Sequence, residues 1–203
     1  MKEYSYYEIS MTEDANLLEK LYYSDISDFS KKFIIKNNSC PTNILEQSVK
    51  DGFPMKYILK NQNCPKYLLK QYSCYDSDGR QAIAYNANCP IDILEKLSKD
   101  INEYVRMAVV ENKNCPIKLL KKLAYDSCFA VRTLVVRNKN CPHFIIESFS
   151  YINANVESIY DIMHYTVSNK NCPFYILKRL YKEHEDLRYL ISKHPNWELT
   201  DFT

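Results

Sequence analysis

Six times in 203 residues the chain writes Asn-x-x-Cys-Pro. The copies are Asn37-Asn-Ser-Cys-Pro41, Asn61-Gln-Asn-Cys-Pro65, Asn86-Ala-Asn-Cys-Pro90, Asn112-Lys-Asn-Cys-Pro116, Asn138-Lys-Asn-Cys-Pro142 and Asn169-Lys-Asn-Cys-Pro173. Successive cysteines stand 24, 25, 26, 26 and 31 residues apart. A period of this size is that of a supersecondary unit that stacks on its neighbours and is not stable by itself. The chain is therefore expected to be a repeat array before it is anything else.

One copy gives the plan of a repeat: Tyr104-Val-Arg-Met-Ala-Val-Val-Glu-Asn-Lys-Asn-Cys-Pro-Ile-Lys-Leu-Leu-Lys-Lys-Leu123. Pro116 suits the first position of a helix, where its missing N–H costs nothing, and this places Cys115 at the N-cap. Leu119, Leu120 and Leu123 then share one face. The same trio is Ile44, Leu45 and Ser48; Leu68, Leu69 and Tyr72; Ile93, Leu94 and Leu97; Ile145, Ile146 and Phe149; Ile176, Leu177 and Leu180. A shorter helix, α or 3-10, precedes each Asn, marked by Val105, Ala108 and Val109 or by Val131, Leu134 and Val135. Asn112 and its equivalents are predicted to be left-handed C-cap residues.

The ends are degenerate copies, as capping units should be. Glu13 to Leu21 reads as a first helix without the Cys-Pro start. His194-Pro-Asn-Trp-Glu-Leu199 reads as a truncated last copy with Trp197 in the cysteine position. The step of 31 holds an insertion, roughly Tyr151 to Glu157. The expected fold is an all-α solenoid of about seven two-helix repeats. It forms one domain over 1–203, with an acidic N-terminal cap at 1–30, repeats at 31–183 and a C-terminal cap at 184–203.

These residues resemble a family. The pattern Val-Arg-x-x-Val-x-x-Asn-x-Asn-x-Pro-x-x-Leu-Leu-x-x-Leu is similar to the leucine-rich repeat variant, a relative of the HEAT and armadillo solenoids, over about residues 13 to 199. The resemblance implies a right-handed superhelix of alternating α and 3-10 helices, used as a binding scaffold. The family usually has Thr where this chain has Cys. Its founding type carries an N-terminal iron–sulfur cluster, but residues 1–39 here contain no cysteine, so neither a cluster nor any other cofactor is expected.

The cysteines point to packing and not to a metal. Cys40, Cys64, Cys89, Cys115, Cys141 and Cys172 occupy one position in successive layers. Packed helices lie about 8 to 10 Å apart, beyond the roughly 7 Å limit between Cα atoms of a disulfide. No Cys-x-x-Cys occurs. Each is expected to fill the space under a helix start. Cys74 and Cys128 lie between the helices of their units and are expected to pack there too. Two glycines in the whole chain exclude the glycine-rich phosphate cradles of nucleotide-binding folds. No apolar run approaches a membrane span, and the first residues lack the core of a signal peptide, so the expected location is cytoplasmic with reduced thiols.

Charge is uneven. Residues 1–30 hold seven acids against two lysines, residues 31–140 hold 19 Lys and Arg against 10 acids, and residues 141–203 hold 6 against 8. Two columns recur within the basic middle. Arg80, Arg106, Arg132 and Arg188 stand at one repeat position, with Asp100 and Asp126 six residues before two of them, which predicts ion pairs clamping one layer to the next. Lys113, Lys139 and Lys170 share a loop position near Arg137, with Lys121 and Lys122 on the helix between them, and are the candidate partner-binding residues. His143, His164, His184 and His194 show no ligand spacing, and no catalytic residue or small-molecule site is predicted. The expected function is a non-catalytic scaffold for a protein partner, with many of the eighteen tyrosines at core edges or interfaces. The alternative is nucleic-acid binding along the basic middle, as in a replication or regulatory factor. A third reading, a HEAT-like DNA glycosylase, lacks aromatic support, since the one tryptophan, Trp197, falls in a cap.

Overall fold

A computed structural model of the chain describes residues 4–151 and 157–197. The described residues are helical throughout and contain no strand. In chain order the helices are α1 (Tyr6–Met11), α2 (Ala15–Tyr22), α3 (Asp28–Lys36), α4 (Thr42–Lys50), α5 (Met55–Lys60), α6 (Lys66–Gln71), α7 (Ser77–Tyr85), α8 (Ile91–Leu97) and α9 (Glu103–Glu111). Then follow α10 (Ile117–Leu123), α11 (Phe129–Arg137), α12 (His143–Phe149), α13 (Glu157–Ser168), α14 (Phe174–Glu183) and α15 (Arg188–Ser192), with a 3-10 turn at Glu185–Leu187. Of the expected insertion, residues 152–156 lie outside the described residues.

The chain divides into two compact units, Met1–Asn114 and Cys115–Thr203. In the first, α3, α5, α7 and α9 lie side by side, each packed on its predecessor, with α1 against α3 at the start of the row. Small residues allow the close approach: Gly79, Ala82 and Ala84 of α7 and Ala108 of α9 are all buried. In the second unit α11 packs on α10, α12 and α13, and α13 on α12 and α15. The helices before each Asn are α-helices of six to twelve residues and not 3-10 turns. Their apolar groups repeat at i, i+3 and i+4, which an α-helix gathers on one face and a longer 3-10 helix does not.

The turn after each of these helices departs from the sequence expectation. Asn37, Asn61, Asn86, Asn112 and Asn138 have φ between −60° and −68° with extended ψ, so none is a left-handed cap. Among the described residues only Gly52, at φ 76°, is left-handed. The asparagine side chains act elsewhere. Each Oδ1 accepts the N–H two residues on, as in Asn63 to Asn61 and Asn88 to Asn86, both 2.8 Å. The Nδ2 groups of Asn37, Asn61, Asn86, Asn112 and Asn169 reach the preceding layer. Asn61 donates to the carbonyls of Ile35 and Asn37, Asn86 to Leu59 and Asn61, and Asn112 to Ala84 and Asn86, at 2.6 to 2.8 Å. Asn169 donates likewise to Val136 and Asn138 in the second unit. The acceptors are the last carbonyls of the preceding helix and its turn, which have no partner inside the helix. In this way each layer caps the helix before it.

The cysteine and proline complete the turn. Cys64 N–H donates to the Asn61 carbonyl and Cys89 N–H to that of Asn86, at 3.0 and 2.9 Å. Pro stands at the N-cap, one residue earlier than its expected place, and its carbonyl receives the first helical bonds. The six column cysteines are all buried, and burial pushes their thiols up to about 12. The core trios lie on the inner face, with Leu120 fully buried, except that Tyr72 stands just past the end of α6 and is half-buried.

The last layer repeats this design with different atoms. His194 is buried, its Nε2 lies 2.9 Å from the Asn169 carbonyl, and its Nδ1 accepts the Asn196 N–H at 3.0 Å. The imidazole thus takes the place of an asparagine amide, and these partners select the neutral ring protonated at Nε2. Trp197 N–H donates to the His194 carbonyl, as Cys172 N–H does to Asn169, and the indole stacks on Tyr181 with ring centres 4.8 Å apart.

Two substitutions test this scheme. Asn86→Asp exchanges a donor for a charged acceptor facing two carbonyls, and each buried group left unmade costs about 1 to 3 kcal/mol. Urea unfolding should therefore show a loss comparable to that of Leu120→Ala, about 2 to 5 kcal/mol; a near-neutral Asn86→Asp would remove the ladder from the account of stability. His194→Asn should be tolerated where His194→Leu is not, read by thermal melting, and equal losses for the two would sink the imidazole–amide equivalence.

Candidate functional site

Most of the helices that follow the prolines carry a half-exposed apolar group in the first turn. In the second unit, Ile117 of α10, Phe144 of α12 and Tyr175 of α14 stand in the first turn of successive helices, and each is about half exposed. Proline brings the chain into the helix at a fixed angle, and the buried trio turns the opposite side of the first turn to solvent. Charged groups from the preceding helix meet these side chains. Lys121 Nζ lies 4.9 Å from the centre of the Phe144 ring, and the Tyr175 hydroxyl donates to Glu147 at 3.0 Å. In the first unit the first turns hold Tyr67 and Ile91, and the Tyr67 hydroxyl donates to Glu46 at 2.8 Å. Ile91, like Ile117, directly follows its proline, whereas Tyr67, Phe144 and Tyr175 stand one residue later. Half-exposed apolar and aromatic groups ringed by charge are the composition of a protein-binding surface.

The lysines singled out in the sequence are exposed. Lys139 and Lys170 occupy equivalent turns of adjacent layers in the second unit, where their carbonyls accept the amides of Asn171 and Asn196. Lys113 belongs to the first unit. Lys121 and Lys122 lie on the solvent side of α10, and Arg137 lies over the Tyr165 ring at 5.0 Å.

Arg80, Arg106 and Arg132 share one backbone anchor, each Nη1 donating to the carbonyl five residues back, of Tyr75, Ile101 and Ser127. Arg80 and Asp100 form a two-pronged pair across 20 residues, Nε to Oδ2 at 2.7 Å and Nη2 to Oδ1 at 3.0 Å. Burial alone would raise the Asp100 carboxyl, but the Arg80 bonds and the Asn102 N–H outweigh it and hold the acid below its ordinary range. The pair's contribution to stability is therefore present above the usual carboxylate pKa and fades as pH falls through the lowered one. Arg106 and Arg132 turn inward along their own chain, each Nη1 bonding the carbonyl six residues back, of Asp100 and Asp126, at 2.7 Å. Arg188 bonds the Tyr181 carbonyl and Glu185, both at 3.0 Å. The fixed six-residue offset thus serves arginine-to-backbone bonds within a repeat, which sequence spacing cannot distinguish from carboxylate pairing.

Of the histidines, His143 is exposed and His164 and His184 are half exposed. Among the described residues, no group of three His, Cys, Asp or Glu is placed to hold a metal ion, and no helix is long and apolar enough to cross a membrane. Compared with family models, curated proteins and solved structures, the chain matches none of them.

Cys74 differs from the column thiols. It is exposed, and Lys96 Nζ lies 2.8 Å from its Sγ. That hydrogen bond, helped by the lysine's charge, draws the thiol below its ordinary value. At a pH of about 7, a thiol reagent should modify Cys74 first, Lys96→Met should slow that reaction, and the six column cysteines should react only on unfolding. Modification of the column in the native protein would contradict their placement.

Proposed function

We propose that this chain is a non-catalytic binding scaffold that takes a protein partner along the outer face of its proline-started helices. In this reading it is a right-handed solenoid of about seven two-helix repeats, of the kind implied by its resemblance to the leucine-rich repeat variant and HEAT arrays, and works in the cytoplasm. The observation that carries the reading is the set of Ile117, Phe144 and Tyr175, one in the first turn of each proline-started helix of the second unit and each about half exposed. Core packing does not require apolar groups there, because the trios at Leu119, Ile145 and Ile176 already fill the inner face. Apolar area that recurs from layer to layer in contact with water is an anchor for another protein. Rigid layers hold the anchors at fixed spacing, so little ordering entropy is lost on binding.

The test is affinity capture from the cell of origin with the tagged chain, comparing wild type with an Ile117→Asp, Phe144→Asp double variant. Both positions are half exposed, so the melting temperature should hold. The reading expects partners that survive roughly 300 mM salt with wild type, since apolar anchoring is little screened, and that disappear with the variant. An unchanged set of captured proteins would overturn it.

A further inference from the structure

The first unit holds a different surface, on the row of α3, α5 and α7. The residues just before its ladder asparagines are Lys36, Lys60 and Tyr85. With Tyr57, Asn38 and Gln62 they line an open cleft of about 480 Å³. A recess of about 240 Å³, bordered by Lys56, Asp78 and Gln81, adjoins it and shares Tyr57, Lys60 and Tyr85. The arrangement repeats by layer. Lys36 Nζ lies 4.3 Å from the centre of the Tyr57 ring, and Lys60 Nζ lies 5.3 Å from that of Tyr85. Lys56 Nζ is 5.6 Å from the Tyr57 ring and 3.6 Å from Asp78. Three ammonium groups and one carboxylate therefore line the two recesses. The rings are held in place, because Tyr85 is half-buried and its hydroxyl donates to Glu111 at 2.6 Å.

We infer that this cleft binds single-stranded nucleic acid, with bases stacking on Tyr57 and Tyr85 and phosphates held by Lys36, Lys56 and Lys60. Aromatic faces alternating with cations along a groove are what an unpaired strand requires, because every base offers a π-face and every linkage a charge. Packed helices lie about 8 to 10 Å apart, too far for one base to sit between two rings, so each ring takes its own base. A duplex hides its base faces and would use the lysines alone. A polyglutamate chain, which carries no aromatic group, would likewise use the lysines alone. The inference does not depend on the protein-binding face of the second unit.

The experiment is fluorescence anisotropy of a labelled oligothymidylate of about 20 nucleotides with the full chain, from roughly 50 to 300 mM salt, beside a duplex of equal length and a polyglutamate peptide. The expected result is preferential binding of the single strand, weakening steeply with salt. Lys36→Glu with Lys60→Glu should weaken it at least about tenfold and Tyr57→Leu about tenfold, while Lys70→Glu with Lys99→Glu, an equal charge change outside the cleft, leaves it unchanged. Circular dichroism melting checks each fold, and the exposed lysine variants keep the test valid if Tyr57→Leu unfolds the chain. No binding at the lowest salt overturns the inference. So does equal affinity for duplex or polyglutamate, or a folded lysine or Tyr57 variant that binds as wild type does.

Discussion

A buried amide two atoms beyond the backbone organises this protein. A helix leaves its last carbonyls without partners, and packing the next helix against that end would normally strand them away from water. Here Asn61, and likewise Asn37, Asn86, Asn112 and Asn169, turns its Nδ2 onto the carbonyls of the layer before, while its Oδ1 takes an N–H of its own turn. Asparagine supplies a donor and an acceptor at the needed reach. Aspartate lacks the donor, and a left-handed glycine cap would satisfy one end but link nothing to its neighbour. The same group thus closes a turn and joins two layers. It is seconded by the residue before the cysteine, Asn in five of the six copies, whose amide also reaches the preceding turn, as Asn63 does to the Asn38 and Cys40 carbonyls.

Other features follow from that junction. Once the turn is fixed, the cysteine is enclosed beneath the next helix start, and a small apolar side chain suffices there. Proline then leads into the next helix without a backbone donor to satisfy. Its fixed direction decides which side of each first turn faces water, and so places Tyr67, Ile91, Ile117, Phe144 and Tyr175 on the surface. The rigid spacing that the amides impose on the short helices likewise puts Lys36 beside Tyr57 and Lys60 beside Tyr85. Both candidate surfaces are consequences of a backbone register held by side-chain amides.

Much of this was legible in the sequence because it depends on local periodicity. The helical class, the buried trios, the buried cysteines and the helix from Glu13 to Leu21 all rest on spacing within one repeat. Other features were hidden for identifiable reasons. Helix α1 carries no Cys-Pro signal; its mark is the capping box between Ser5 and Glu8, which lies outside the repeat pattern. His194 went unrecognised as an asparagine equivalent because the resemblance is one of hydrogen-bond geometry and not of residue type.

The sequence by itself determined a repeating helical chain, the phase of its core and the absence of glycine-rich nucleotide loops, because these are properties of spacing and composition. Only the tertiary structure decided what the asparagines do, since their partners lie about one repeat away in the chain and are backbone atoms that no residue letter records. It also decided that Arg80 pairs with Asp100, and that Lys36, Lys60, Tyr57 and Tyr85 share a cleft. Side chains that meet across layers are brought together by packing, and periodicity fixes their phase without fixing their partners.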